Sequence, residues 1–143
     1  MKKIIFMGQS GSGKTSLCQK LHEQAVVYKK TQAIETFQHA IDTPGEYMEN
    51  RFYYKALIVT SVDADVIGLV QDCTATENYF PPSFASVFAK PVIGIVSKVD
   101  LATDAQVATA KERLREAGAS SIFEVSAVDG TGIEEIKAYL ETL

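Results

Sequence analysis

The chain is 143 residues long, about one domain's worth, with 46% hydrophobic and 22% charged residues, and its 14 basic and 18 acidic side chains leave a formal charge of −4. That profile excludes a disordered or collagen-like chain, and a pI near 5.2 with Lys and Arg never clustered beyond pairs such as Lys2 and Lys3 excludes a nonspecific nucleic-acid binder. No apolar stretch approaches the ~18 residues that cross a bilayer, so no membrane association is expected, and the two distant cysteines, Cys18 and Cys73, read as buried thiols of a cytoplasmic protein.

Short apolar runs alternate with stretches of helical period along the chain. This pattern predicts a three-layer α/β domain over residues 1–143, a mostly parallel sheet of about six strands with about five helices. A strand is expected at residues 3–7, followed by a glycine-rich turn and a helix carrying Leu17 and Leu21. A short strand over 25–29 and a longer one over 37–41 come next, then a helix over 48–62 in which Tyr54, Leu57 and Ile58 have core spacing. Tyr47 and Tyr53 suit either the core or an outward face for a partner protein. Strands at 65–71 and 91–96 read apolar at nearly every position, as central strands covered on both faces do. A helix over 104–117 ends at Gly118, a strand follows at 121–125, and an amphipathic helix over 132–143 closes the chain.

The turn after the first strand reads Gly8-Gln9-Ser10-Gly11-Ser12-Gly13-Lys14-Thr15, which fits G-x-x-x-x-G-K-[ST] between a strand and a helix. Glycines let successive N–H groups converge on phosphate oxygens, and the positive end of the next helix adds its field. Gly8, Ser10, Gly11, Ser12, Gly13, Lys14, Thr15 and Ser16 are therefore candidate phosphate-binding residues, with Lys14 reaching the outer phosphates and Thr15 offering its hydroxyl to Mg²⁺.

Two further strand ends carry polar residues. Asp42-Thr43-Pro44-Gly45 places an acid where it can support Mg²⁺ beside Thr15, with Asp72 the weaker rival, and Gly45 supplies a backbone N–H for a terminal phosphate. Ser97-Lys98-Val99-Asp100 stands on the same edge of the sheet. The Asp100 carboxylate can accept from N1–H and the 2-amino group of guanine, which adenine lacks, and the Lys98 stem can lie along the base. Ser126 and Ala127, after the fifth long strand, can present an N–H to guanine O6.

These motifs together resemble a small Ras-like P-loop GTPase. More narrowly, residues 28–35, 42–47 and 80–84 resemble the EutP/PduV family of ethanolamine and propanediol utilisation, over essentially the whole chain. The resemblance implies a Ras-like sheet, guanine-nucleotide binding as GTP or GDP with Mg²⁺, an association with bacterial microcompartment metabolism, and Thr31, with Thr36 its rival, as the switch threonine that closes on Mg²⁺. Lys14, Thr31 and Gly45 are then the catalytic candidates, Thr15, Thr31 and Asp42 the metal candidates, and the surfaces around Thr31 and from Gly45 to Tyr54 the places where a protein partner would read the nucleotide state. Only 27 residues separate Thr15 from Asp42, so the first switch and its edge strand are expected to be trimmed. Ser97 stands where the family's base-reading motif usually has Asn or Thr, which leaves ATP open as a ligand. Glu46 stands where related proteins hold a water-orienting Gln, and slow hydrolysis is expected, with Arg51 the one internal candidate for an arginine finger. An alternative within the same pathways is phosphoryl transfer to a small carboxylate such as acetate, and a third is a scaffold that binds nucleotide without turnover. His22 and His39 have no acidic or Cys partners in a ligand pattern and are expected to be structural.

Overall fold

A computed structural model describes residues 2–22, 34–36 and 39–143. The expected strand at 25–29 and the switch candidate Thr31 lie outside them. Five strands run parallel: β1 (Ile4–Met7), β3 (Ala40–Asp42), β4 (Val66–Asp72), β5 (Val92–Ser97) and β6 (Ile122–Glu124). A two-residue strand, β2 (Glu35–Thr36), pairs antiparallel with β3 at the edge, giving the order β2-β3-β1-β4-β5-β6. The described α-helices are α1 (Lys14–Leu21), α2 (Glu46–Glu49), α3 (Tyr54–Ser61), α4 (Asp104–Glu116) and α5 (Ile133–Thr142).

The two faces of the sheet follow from strand period. Ile5, Met7, Ile67 and Leu69 join Met48, Leu57 and Leu114 in one cluster. Ile4, Phe6, Val66 and Val70 join Leu17, Leu21, Ile136 and Leu140 in the other. Every residue of β1, β4 and β5 is buried, the outcome that their unbroken apolar runs predict. The β3–β1–β4 neighbourhood brings β1 to the middle of the sheet, so the loop that leaves Met7 emerges at the strands' carboxyl edge between two flanking loops.

Several boundaries differ from the sequence expectation. The strand expected at 37–41 is Ala40–Asp42 within the described residues, so Asp42 is the last residue of β3 and pairs in register with Phe6. The helix expected over 48–62 is three pieces: α2, a 3₁₀ turn at Arg51–Tyr53, and α3. Asn50 is the cause, for its extended backbone (φ −132°, ψ 115°) interrupts the helix and its side chain accepts from the Phe52 N–H at 3.0 Å. Periodicity survives the break and hides it. Leu57 is buried as expected, but Ile58 is half-exposed rather than packed. Between β4 and β5 the described elements include only a 3₁₀ turn at Phe84–Val87.

Candidate functional site

The carboxyl ends of β1, β3 and β5 bring the sequence motifs to one rim. Gly13 holds φ at 101°, a left-handed conformation that a side chain disfavours, and this turns the chain straight into α1. Lys14 opens α1 and is buried. Its ammonium donates to the Gln9 carbonyl at 2.9 Å and to the Ser12 hydroxyl at 3.4 Å, so it is folded back over the glycine loop. Burial lowers its pKa from the usual 10.5 to about 8, against the opposing attraction of Asp42 and Glu49.

Next to it, the Thr15 hydroxyl donates to the Asp42 carboxylate. Asp42 is fully buried, and the pair presents only hard oxygen donors, the kind that Mg²⁺ takes while keeping most of its waters. Among the described residues no group of three or more His, Cys, Asp or Glu is placed to hold a metal ion. The rival Asp72 is engaged elsewhere: it accepts from the Thr74 N–H and hydroxyl at 2.8 and 2.6 Å and pairs with Lys98 at 3.0 Å.

Gly45 starts α2 directly against the glycine loop. A Cβ built on it would lie 2.1 Å from the Ser10 nitrogen, so no other residue fits there without moving backbone. Thr43, fully buried, fixes the approach by donating its hydroxyl to the Phe6 carbonyl at 2.7 Å. Glu46 is exposed on the first turn of α2, and Arg51 is exposed on the 3₁₀ turn. Tyr47 and Tyr53 stack on one another at 4.9 Å, both partly buried, while the aromatic side chain between α2 and α3 that faces outward is Phe52 at 83% exposure.

The loop after β5 is tied to the glycine loop by side chains. The Ser97 hydroxyl, buried, donates to the Ser12 carbonyl at 2.5 Å, and the Lys98 ammonium donates to the Gly11 carbonyl at 2.6 Å. Cys73 adds a thiol contact to the Ser97 carbonyl at 2.9 Å. Ser97 therefore spends its hydroxyl on the neighbouring loop, and its short reach is matched to that job. Beside these bonds lies a cavity of about 170 Å³ lined by Gly13, Ser16, Leu17, Ser97, Lys98, Asp100, Leu101, Val125, Ala127 and Val128. Asp100 and Ala127, read from separate motifs, thus share one pocket beside the loop that carries Lys14. Ser126 is buried next to it, held by its N–H to the Thr131 carbonyl at 3.0 Å. Sequence reading missed the apolar walls, of which Leu101 and Val128 are largely exposed; their position one residue beyond Asp100 and Ala127 was the available signal.

Further side chains tie segments of the chain together. Arg113 donates from α4 to the carbonyls of Ala75, Thr76 and Glu77 at 3.2, 3.0 and 3.4 Å, fixing the loop after β4. His22 Nδ1 and the Cys18 carbonyl are 2.8 Å apart, and the His39 N–H donates to the other ring nitrogen at 3.2 Å, which joins the end of α1 to the approach to β3.

The parallel sheet with a glycine-rich loop leaving its central strand, an acid at the end of the next strand and a Lys-x-Asp loop two strands away is a P-loop GTPase-like α/β fold. In agreement, the crystal structure of the bacterial selenocysteine-specific elongation factor EF-Sec matches 99% of this chain at TM-score 0.70 and 23% identity; the chain spans 28% of that longer protein. Within this class the chain belongs to the PduV-EutP family, described as ethanolamine utilisation and propanediol utilisation, whose family model matches residues 1–142. It is 43% identical to propanediol utilization protein PduV of Citrobacter freundii, over 98% of this chain and 93% of the relative. It is 35% identical to probable acetate kinase EutP of Escherichia coli K12 and 37% identical to that of Salmonella typhimurium, each over 100% of this chain and 91% of the relative. No helix among the described residues is long and apolar enough to cross a membrane.

Proposed function

We propose that the chain is a Mg²⁺-dependent guanine-nucleotide-binding protein of the cytoplasm that hydrolyses GTP slowly and acts as a switch in ethanolamine or propanediol catabolism, in association with microcompartments. The observation that carries this reading is the pair of bonds from Ser97 and Lys98 to Ser12 and Gly11, which set the Asp100 cavity directly beside the glycine loop. Asp100 accepts from the guanine N1–H and 2-amino group, the Lys98 stem lies along the base, and the Ala127 N–H faces O6. The backbone N–H groups from Ser10 to Ser16 cradle the phosphates, and Lys14 neutralises the outer two. Thr15 and Asp42 would hold Mg²⁺, which when bound supplies positive charge at the β and γ phosphates. Thr31 closes from the first switch, and the Gly45 N–H steadies the terminal phosphate as water attacks its phosphorus and the bond to the β-phosphate oxygen breaks.

Exposed Glu46 leaves the attacking water without an orienting amide, which accounts for slow turnover; a partner reading the Thr31 and Gly45–Tyr54 surfaces, where Phe52 projects, supplies the acceleration. Competition of labelled GDP against ATP tests the base assignment: GDP is expected to bind at least ~100-fold more tightly, since a site built for donors rejects a base lacking them. Equal affinities would overturn it.

A second reading has one specific support, the relatives named probable acetate kinase at 35% and 37% identity along the full chain. In it the γ-phosphoryl group passes to an acetate oxygen rather than to water, giving acetyl phosphate and the diphosphate. Incubation with Mg·GTP or Mg·ATP, with and without acetate, followed by hydroxylamine trapping separates the two. Acetate-dependent nucleotide loss with hydroxamate formation selects phosphoryl transfer; acetate-independent phosphate release selects the switch.

A further inference from the structure

One acidic side chain of α2 is bound to the glycine loop itself. The Glu49 carboxylate accepts from the Ser10 hydroxyl at 2.8 Å and from the Ser10 N–H at 3.3 Å, across 39 residues of chain. It also lies close enough to Lys14 to favour that residue's charged form. A carboxylate held by a loop N–H and hydroxyl and facing the loop lysine has the bonding of a phosphate oxygen in the same place. The delivery is firm, because Gly45, at the other end of α2, abuts Ser10 with no room for a Cβ. It is also reversible, because Glu49 and Ser10 are both exposed and the helix breaks at Asn50 immediately after Glu49.

We propose that Glu49 is an internal anion that competes with the terminal phosphate for the glycine loop and thereby ranks nucleoside diphosphates above triphosphates. This rests on the nucleotide reading given above. The N–H groups opening α1, next to Lys14 and Thr15, serve the inner phosphates, so a diphosphate leaves Glu49 seated. A triphosphate brings a further doubly charged group toward Ser10 and Gly45, and the carboxylate must leave. Its departure releases the Glu49 end of α2 at Asn50, beside the stacked Tyr47 and Tyr53 and exposed Phe52, so the surface offered to a partner changes with the number of phosphates. Glu49 is thus a specificity-determining residue that acts by occupying the place of the ligand.

The experiment measures dissociation constants of Mg·GTPγS, Mg·GDP, Mg·ATPγS and Mg·ADP for the wild type, Glu49→Gln, Ser10→Ala and the double variant. Gln keeps an acceptor for Ser10 but loses the charge, and the side chain is exposed, so the fold is preserved. The triphosphate-to-diphosphate affinity ratio is expected to rise about tenfold in Glu49→Gln, the size of one charge-assisted hydrogen bond at an exposed site. Ser10→Ala should move it the same way by less, and the double variant should match Glu49→Gln. A purely structural role would weaken all four ligands together and leave the ratio fixed; a ratio within twofold of wild type in Glu49→Gln therefore overturns the proposal, whichever base is carried. Equal binding of guanine and adenine nucleotides by the wild type overturns the base assignment instead and leaves the ratio to report on Glu49.

Discussion

Lys14 carries a cost in the nucleotide-free fold, and replacing it by Met should make that fold more stable. Its pKa lies at about 8 in the folded chain against 10.5 for a solvated lysine, with burial the dominant cause. Because the folded value is the lower one, the native state binds fewer protons than the unfolded chain between these values, and stability rises with pH through that window. Below it the cost is fully present. At about 1.4 kcal/mol per unit the shift corresponds to roughly 3 kcal/mol at pH 7, and the same two pKa values give about 1 kcal/mol at pH 9.5. Losing the donated contacts to Gln9 and Ser12 takes back about 1 kcal/mol at either pH. Nucleotide-stripped Lys14→Met is therefore expected to be about 2 kcal/mol more stable than wild type at pH 7, with that advantage shrinking by about 2 kcal/mol by pH 9.5. Urea denaturation of both proteins at the two pH values measures this directly. An advantage that stays constant with pH, or a variant less stable at pH 7, would refute the account of Lys14 as a buried, strained cation.

Asp100→Asn should lose GDP affinity by at least ~100-fold and gain affinity for xanthosine diphosphate, since the amide donates to the 2-oxo group, and fluorescence competition with both nucleotides reports the swap. Unchanged GDP binding would remove Asp100 from the base site. Ser97→Ala strips the Ser12 carbonyl of its buried donor and should cost about 1–3 kcal/mol in urea denaturation, together with faster release of labelled nucleotide; a change below about 0.5 kcal/mol would mean the two loops are held by other contacts. Gly45→Ala puts a methyl group onto the Ser10 backbone and should destabilise by about 1–3 kcal/mol, with hydrogen exchange accelerated across Glu46–Glu49; wild-type protection there would contradict the close approach of α2 to the loop.

Much of this architecture is written locally. Continuous burial of β4 and β5 leaves an unbroken apolar run in the sequence, and the glycine loop is a fixed pattern of residues whose conformation depends on little beyond its neighbours. The rest depends on contacts between distant segments. Asn50 breaks a helix while the apolar period runs on through it, so only the bond from its side chain to Phe52 reveals the break. Glu49 and Ser10 are ordinary polar residues 39 positions apart, and nothing in either segment marks them as partners. Ser97 reads as a shortened base-contacting residue until its bond to Ser12 gives the short side chain a purpose. Asp72, on sequence the weaker rival of Asp42, has contacts with Lys98 and Thr74 that its own segment does not announce.

The hydroxyl of Ser97 and the ammonium of Lys98 act as rivets across the mouth of the sheet. Two pieces of chain that could each have flexed alone are thereby made into one jaw. A molecule seated in the half beside Asp100 should stiffen the half around Lys14, so the fragments of a ligand, supplied apart, should assist one another's capture. Release of a whole ligand should then keep pace with how often the jaw opens as a unit.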